Sequence, residues 1–155
     1  MIIDVSEIKN NDLVFLDTNF IVAAFEGTNA LRQKAIDIFS LLLEREARLV
    51  ISSIVLAEYH CHIVEFPLLL KLYSTVMPFD EHHAKMTGEL WSAISSNRLK
   101  GETGGRVSCK DDIKIIAQAK LSRAAAIVTA DEKMAYTYIV RTNALGHHLN
   151  VIMLG

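Results

Sequence analysis

The chain has 155 residues, 51% of them hydrophobic, with two prolines and two cysteines. That is enough apolar material for one compact core and too little length for two ordinary domains, so residues 1–155 are read as a single domain. A formal net charge of −2 and a pI near 6.3 exclude whole-protein attraction to nucleic acid, so a polyanionic partner has to be drawn by a local site.

No apolar run approaches the ~20 residues of a bilayer span, and the amino-terminal MIIDVSEIKNNDL lacks the basic-then-apolar order of a secretory signal. The expectation is a soluble, cytoplasmic protein with no membrane partner and with Cys61 and Cys109 reduced.

In chain order, residues 1–12 form an N-terminal extension ahead of the first regular element. Leu13-Val14-Phe15-Leu16 is an apolar run of strand character, and NFIVAAF, just beyond Asp17, looks helical. The pattern predicts a helix over 30–46, a strand over 49–51, and a helix over 54–64 that Ser52 or Ser53 caps. Residues 73–77 make a weaker strand. Helices follow over 81–95, 111–123 and 132–140, and strands over 126–129 and 150–153. Between Ser95 and Lys110, SSNRLKGETGGRVSCK has no apolar period and reads as a solvated loop whose Arg98, Lys100, Arg106 and Lys110 are available to phosphates. This alternation predicts an α/β domain of three layers, a largely parallel central sheet flanked by helices.

Four carboxylates stand where core packing does not explain them. Asp17 follows VFL and precedes a helix, which puts it at the carboxyl end of a strand, the edge where open α/β sheets bind ligands. Asp131, in AIVTAD, repeats that arrangement. A helix cap explains either acid alone, but not two acids converging on one sheet edge. Glu58, in ISSIVLAEYHCHIV, shares a helical face with Ile54 and Cys61, and a carboxylate on an apolar face needs a basic partner or a metal ion. In KDDIKIIAQAKL, Asp112, Ile115, Ile116 and Ala119 follow the i, i+3, i+4, i+7 pattern, so Asp112 belongs to the inward stripe. Asp111 aligns instead with Lys114 and Gln118 on a polar face, as a cap or an exposed residue.

In order and approximate spacing, LDTNFIVAAF, ISSIVLAEYH, KDDIKIIAQAKL and AIVTADEKM resemble the PIN-domain family. Its pattern is a strand ending in Asp, a helical Glu, a helix-opening Asp and a later strand followed by Asp. The likeness runs from Leu13 to Ile152 and looks nearest the small VapC-like branch. It implies a PIN-like fold and a ribonuclease whose catalytic Asp17, Glu58, Asp112 and Asp131 hold Mg²⁺ or Mn²⁺. Hard ions of this kind prefer oxygen ligands. Thr18, Asn19 and Thr129 flank the acids and are placed to orient them or their waters, although local capping explains these three equally well. The resemblance also implies an RNA substrate, a separate antitoxin protein and a homodimer, for which the apolar helical segment 54–73 offers a contact.

The competing reading of the same fold is an inactive module that binds RNA or protein without cutting. A haloacid-dehalogenase-like phosphatase is disfavoured because its second acid would fall on Asn19. A receiver-like domain is disfavoured because its acidic pair comes early, whereas Asp111-Asp112 comes late. His60, Cys61, His62, His82, His83, Cys109, His147 and His148 are zinc-ligand types without zinc spacing, since residues two apart on a helix point in different directions. Tyr73, Phe79 and Trp91 are assigned to the core or a subunit contact, and Met77, Met86 and Met134 to core filling.

Overall fold

Val14, Phe15 and Leu16 of strand β1 (Leu13–Leu16) are all fully buried. Neighbouring side chains on a strand point to opposite faces, so burial of consecutive residues requires cover on both sides of the sheet. The same holds for β2 (Arg48–Ser52), buried after its first residue, and for β4 (Ala126–Thr129), buried throughout. With β3 (Ser74–Met77) and β5 (Asn150–Met153) they form one parallel sheet in the order β3-β2-β1-β4-β5. The expected α/β layering is therefore the observed one, and the weakly marked strand expected over 73–77 is present from Ser74 to Met77, with Tyr73 helical. The computed structural model describes residues 1–27, 30–63, 65–96 and 108–155, so the loop reading for 97–107, with Arg98, Lys100 and Arg106, lies outside the described residues.

The two sheet edges differ. β3 exposes Thr75 and Val76, whereas β5 is met by the amino terminus, where Ile2 bridges Val151. The amide of Ile3 donates to the Val151 carbonyl at 2.9 Å, and the Val151 amide donates to the Met1 carbonyl at 2.9 Å. Val5 and Ile8 of the same stretch are buried in the core, so residues 1–12 pack as part of the fold.

The helices are α1 (Thr18–Phe25), α2 (Ala30–Glu44), α3 (Ser53–His60), α4 (Leu68–Tyr73), α5 (Glu81–Ser96) and α6 (Ser108–Leu121). A π-helical segment (Met134–Ile139) runs into α7 (Val140–Thr142). α1 packs on α2, and α6 packs on α5 and α3. Several expectations need correction. α3 stops at His60, short of the expected end at residue 64, with Cys61 an exposed C-cap whose backbone stays helical. α6 begins at Ser108, so Asp111 and Asp112 lie within it, and neither opens nor caps it. The predicted helix over 132–140 has a π-helical centre, which the sequence period does not distinguish from α because Met134, Tyr138 and Ile139 bury alike in both. α4 is too short to display a period, and its Tyr73 is exposed rather than in the core. Met134 is fully buried, while Met77, Met86 and Trp91 pack partly buried against the core. No described helix is long and apolar enough to cross a membrane.

The helices that return to β2 and β4 end on the same device. Glu46 and Arg123 take left-handed backbone conformations, φ 53° and 55°, which let the following amides reach back, Ala47 to Leu42 at 3.0 Å and Ala124 to Ala119 at 2.8 Å. A side chain in that region costs about 1–2 kcal/mol that glycine avoids. Arg123 is exposed. Arg123→Gly should therefore raise the unfolding free energy by about 0.5–1 kcal/mol after the greater chain entropy of glycine is subtracted. Urea denaturation checks this, and a loss of stability would contradict it.

Candidate active site

The chain runs from β1 outward to β2 and β3, then returns to lay β4 and β5 on the other side of β1. The order reverses between β1 and β4, and in a sheet of this kind the carboxyl ends of the two strands flanking the reversal open a crevice. Asp17 is the first residue beyond β1, and its amide donates to the Val128 carbonyl of β4 at 3.1 Å. Its side chain is only 3% exposed. Although Asp17 occupies the N-cap of α1, its carboxylate makes no capping bond. Its Oδ2 instead accepts from Thr129 Oγ1 at 2.7 Å, so capping does not account for this acid.

Thr129 links two of the acids. Fully buried at the end of β4, its hydroxyl oxygen also accepts from the Asp131 amide at 2.9 Å. Asp131 does cap its helix, with Oδ1 accepting from the Met134 amide at 2.9 Å, and the same bond holds the side chain at the rim of the crevice. Glu58 is half-buried on α3, where its Oε2 accepts from Thr18 Oγ1 at 2.5 Å. Thr18 and Thr129 thus each grip one acid. Asn19 is exposed and lines a surface groove with Asp131 and Lys133 rather than bonding to the acids.

The electrostatics bring in the fourth carboxylate. Burial pushes the Asp112 carboxyl up to about 7, and repulsion from Asp17, Asp131, Glu58 and Asp111 adds to the rise. Burial likewise raises Asp17 to about 6, opposed by the Thr129 hydroxyl and the Thr18 amide and reinforced by Glu58 and Asp131. The four acids therefore share one crevice, with Glu58 and Asp131 close enough to act on both Asp17 and Asp112. Asp111 stands apart, ion-paired to Lys114 at 2.6 Å with its side chain 36% exposed. The polar face assigned to Asp111, Lys114 and Gln118 fails at Gln118, which is fully buried. Ile113, Ala117 and Ala119 are buried with it, because α5, α3 and the π-helical segment pack against α6. Phase in the sequence separates Asp112 from Asp111 but does not find Gln118, whose partners lie on other elements.

The family model of the PIN domain matches residues 14–140. This chain belongs to the PIN-domain family. Solved structures share the fold of this PIN domain. A chain of VapBC2 from Rickettsia felis, crystallised with a DNA fragment from its promoter, is 19% identical over 89% of this chain and 96% of its own, with a TM-score of 0.60. A chain of DNA-bound VapBC from Salmonella typhimurium is 19% identical over 96% and 100%, with a TM-score of 0.59. VapC20 from Mycobacterium tuberculosis, a toxin that cleaves the sarcin-ricin loop, is 14% identical over 79% and 93%, with a TM-score of 0.54. At these identities the likeness is one of fold. No curated protein matches the chain significantly.

The donor chemistry of the PIN crevice suits a hard divalent cation. The four acids are all oxygen donors, supported by two hydroxyls. Among the described residues, no three His, Cys, Asp or Glu side chains converge closely enough to hold a metal ion together. The fit therefore rests on the oxygen chemistry of the donors, since an ion of the Mg²⁺ kind commonly takes only one or two carboxylates and keeps several waters.

The raised carboxyls make a signed prediction for the metal-free protein. An ordinary carboxyl loses its proton near 4 when unfolded, whereas Asp17 and Asp112 keep theirs to about 6 and 7 when folded. The folded state therefore binds more protons between about pH 4 and 7, and these two groups subtract stability as pH rises through that window. In EDTA, Asp112→Asn should flatten the decline of Tm from pH 4 to 7.5 and melt above wild type at pH 8. An unchanged slope in a pH series of thermal melts would refute the coupling.

Proposed function

We propose that this PIN domain is a divalent-metal-dependent endoribonuclease, the toxin of a toxin–antitoxin pair, acting through Asp17, Glu58, Asp112 and Asp131. The observation that carries the proposal is the convergence of these acids on the β1/β4 crevice, with Asp17 and Asp112 pushed towards neutrality. Strongly perturbed carboxyls in a cleft are candidates for a functional site, and a cation would turn repulsion among them into ligation. The four carboxylates hold the ion directly or through water. When bound, Mg²⁺ or Mn²⁺ supplies Lewis acidity, acidifying the attacking water and neutralising charge on the phosphate.

The chain's own residues set the geometry. Thr129 holds the Asp17 carboxylate, Thr18 holds that of Glu58, and the cap on Met134 fixes Asp131, so three acids are oriented before substrate arrives. No Ser, Cys or His nucleophile is needed. RNA as the substrate is supported by the fold likeness to a toxin that cleaves the sarcin-ricin loop, and an antitoxin partner by the likeness to chains in VapBC assemblies. Leu68, Leu69, Leu72 and Tyr73 on α4 are exposed apolar residues within the segment expected to serve a homodimer, and they support that assembly. A cytoplasmic location follows from the same toxin–antitoxin reading.

The test incubates the purified protein with structured and single-stranded RNA in Mn²⁺ or EDTA, with Asp111→Asn and Asp112→Asn as matched variants. Cleavage should require Mn²⁺. Asp112→Asn should abolish cleavage and reduce the calorimetric heat of metal binding, while Asp111→Asn stays near wild type. The reverse order of the two variants would sink the assignment. RNA bound but uncut across a Mn²⁺ titration would make the protein an interaction module.

A further inference from the structure

We infer that Gln118 is a positioning residue for the acid cluster, a buried amide clamp that sets where α6, and with it Asp112, stands relative to Glu58. The inference rests on the reading of the four acids as the metal site. Gln118 follows Asp112 by six residues on α6, about 9 Å along the axis at ~1.5 Å per residue. Its Nε2 donates to the carbonyls of Met77 at 3.2 Å and Pro78 at 3.1 Å, where β3 ends, and its Oε1 accepts from Ser52 Oγ at the end of β2. Ser52 Oγ in turn accepts from the Ile54 amide at 3.0 Å, capping α3, the helix that carries Glu58. Beside it, Ser53 Oγ accepts from the Phe79 amide at 3.0 Å. One side chain therefore joins α6 to the carboxyl ends of two strands and to the first turn of α3.

Cohesion does not require this amide. Ile113, Ile115, Ile116, Ala117 and Ala119 already seal α6 into the core, and the net stability from a buried hydrogen bond is small, about 1 kcal/mol. Apolar contacts are non-directional and tolerate a helix that slides or rolls, whereas hydrogen bonds of fixed length and angle do not. Lys120 pins the other flank of the same helix end, donating to Asn143 Oδ1 at 3.0 Å and to the His147 carbonyl at 2.7 Å. With its carboxyl-terminal half held from both sides, α6 is fixed in register. Asp112, on the same helix, therefore keeps a set place relative to Asp17 and Glu58.

The test compares Gln118→Met, which keeps length and removes all three bonds, with Ile116→Val, which trims the same helix without touching the polar network. Mn²⁺ binding is measured by calorimetry without RNA, kcat and KM are measured on RNA, and both are corrected for the folded fraction. Gln118→Met should weaken Mn²⁺ binding about 10-fold, the lower end of the range for groups that bond a metal ligand directly, because the clamp acts through the helix, and should lower kcat with KM unchanged. Ile116→Val should leave all three unchanged. Wild-type metal affinity in folded Gln118→Met overturns the inference, and so does an equal loss in Ile116→Val. If Gln118→Met does not fold, Ser52→Ala breaks the clamp from the strand side and carries the same expectation, with wild-type Mn²⁺ affinity overturning it. Asp112→Asn separates the two levels. If it loses Mn²⁺ while Gln118→Met does not, the clamp alone has failed. If it binds Mn²⁺ normally, the metal-site reading has failed and takes the clamp with it.

Discussion

Like charges held together at a sheet edge are the constraint from which the rest of this structure follows. Glu58 and Asp131 raise the cost of ionising the buried Asp17 and Asp112, and nothing local to either of those two can hold the group together. What holds them is a sheet buried on both faces. Asp17 and Asp131 are carried by the carboxyl ends of adjacent strands whose residues are almost all inaccessible. Glu58 and Asp112 ride on helices packed against each other. The apolar core acts here as a rigid frame, because close-packed interiors do not deform smoothly under a local load.

Within that frame the acids are oriented by neutral donors. The strand ends read LDT, ISS and VTA, and a hydroxyl from each takes part in the seam of hydrogen bonds along the crevice. A hydroxyl holds a carboxylate in place while leaving its charge intact. An Arg or Lys in the same position would satisfy the acid outright and occupy the role of the cation. The contrast is visible on α6, where Lys114 pairs with Asp111 and not with its neighbour Asp112. The ammonium thus neutralises the acid at the rim and spares the one in the crevice.

The sheet was legible in the sequence because its strands are short apolar runs bounded by polar residues, and Leu13–Leu16 and Ala126–Thr129 have the bounds that their composition implies. The placing of Asp112 was legible too, since helical phase depends only on spacing within one element. Three features were not. The start of α6 at Ser108 lies in a stretch without an apolar period, so no pattern announces it. The end of α3 at His60 is masked by Ile63, an apolar residue that continues the period past the last helical turn. Gln118 stayed hidden because an amide on a helical wheel reads as surface. Its burial depends on the ends of β2 and β3, which approach α6 only in the folded chain.

The same two carboxyls link the stability of this PIN domain to its proposed chemistry, and they do so with opposite signs. Below about pH 6 both Asp17 and Asp112 are largely protonated when folded, repulsion in the crevice is relieved, and the metal-free fold is under least strain. A protonated carboxyl is a poor metal ligand, so in that range the site is also least able to take up a cation. Above about 7 both groups ionise, and the crevice becomes a set of anionic oxygens pressed together by the core. The state best prepared to bind a divalent ion is therefore the one the empty fold tolerates least. In the proposed reading a bound cation offsets both the desolvation of these two carboxyls and the repulsion from their neighbours. The polar seam and the anchoring of α6 matter most under this load, because they hold the acid-bearing elements in place when Asp17 and Asp112 ionise.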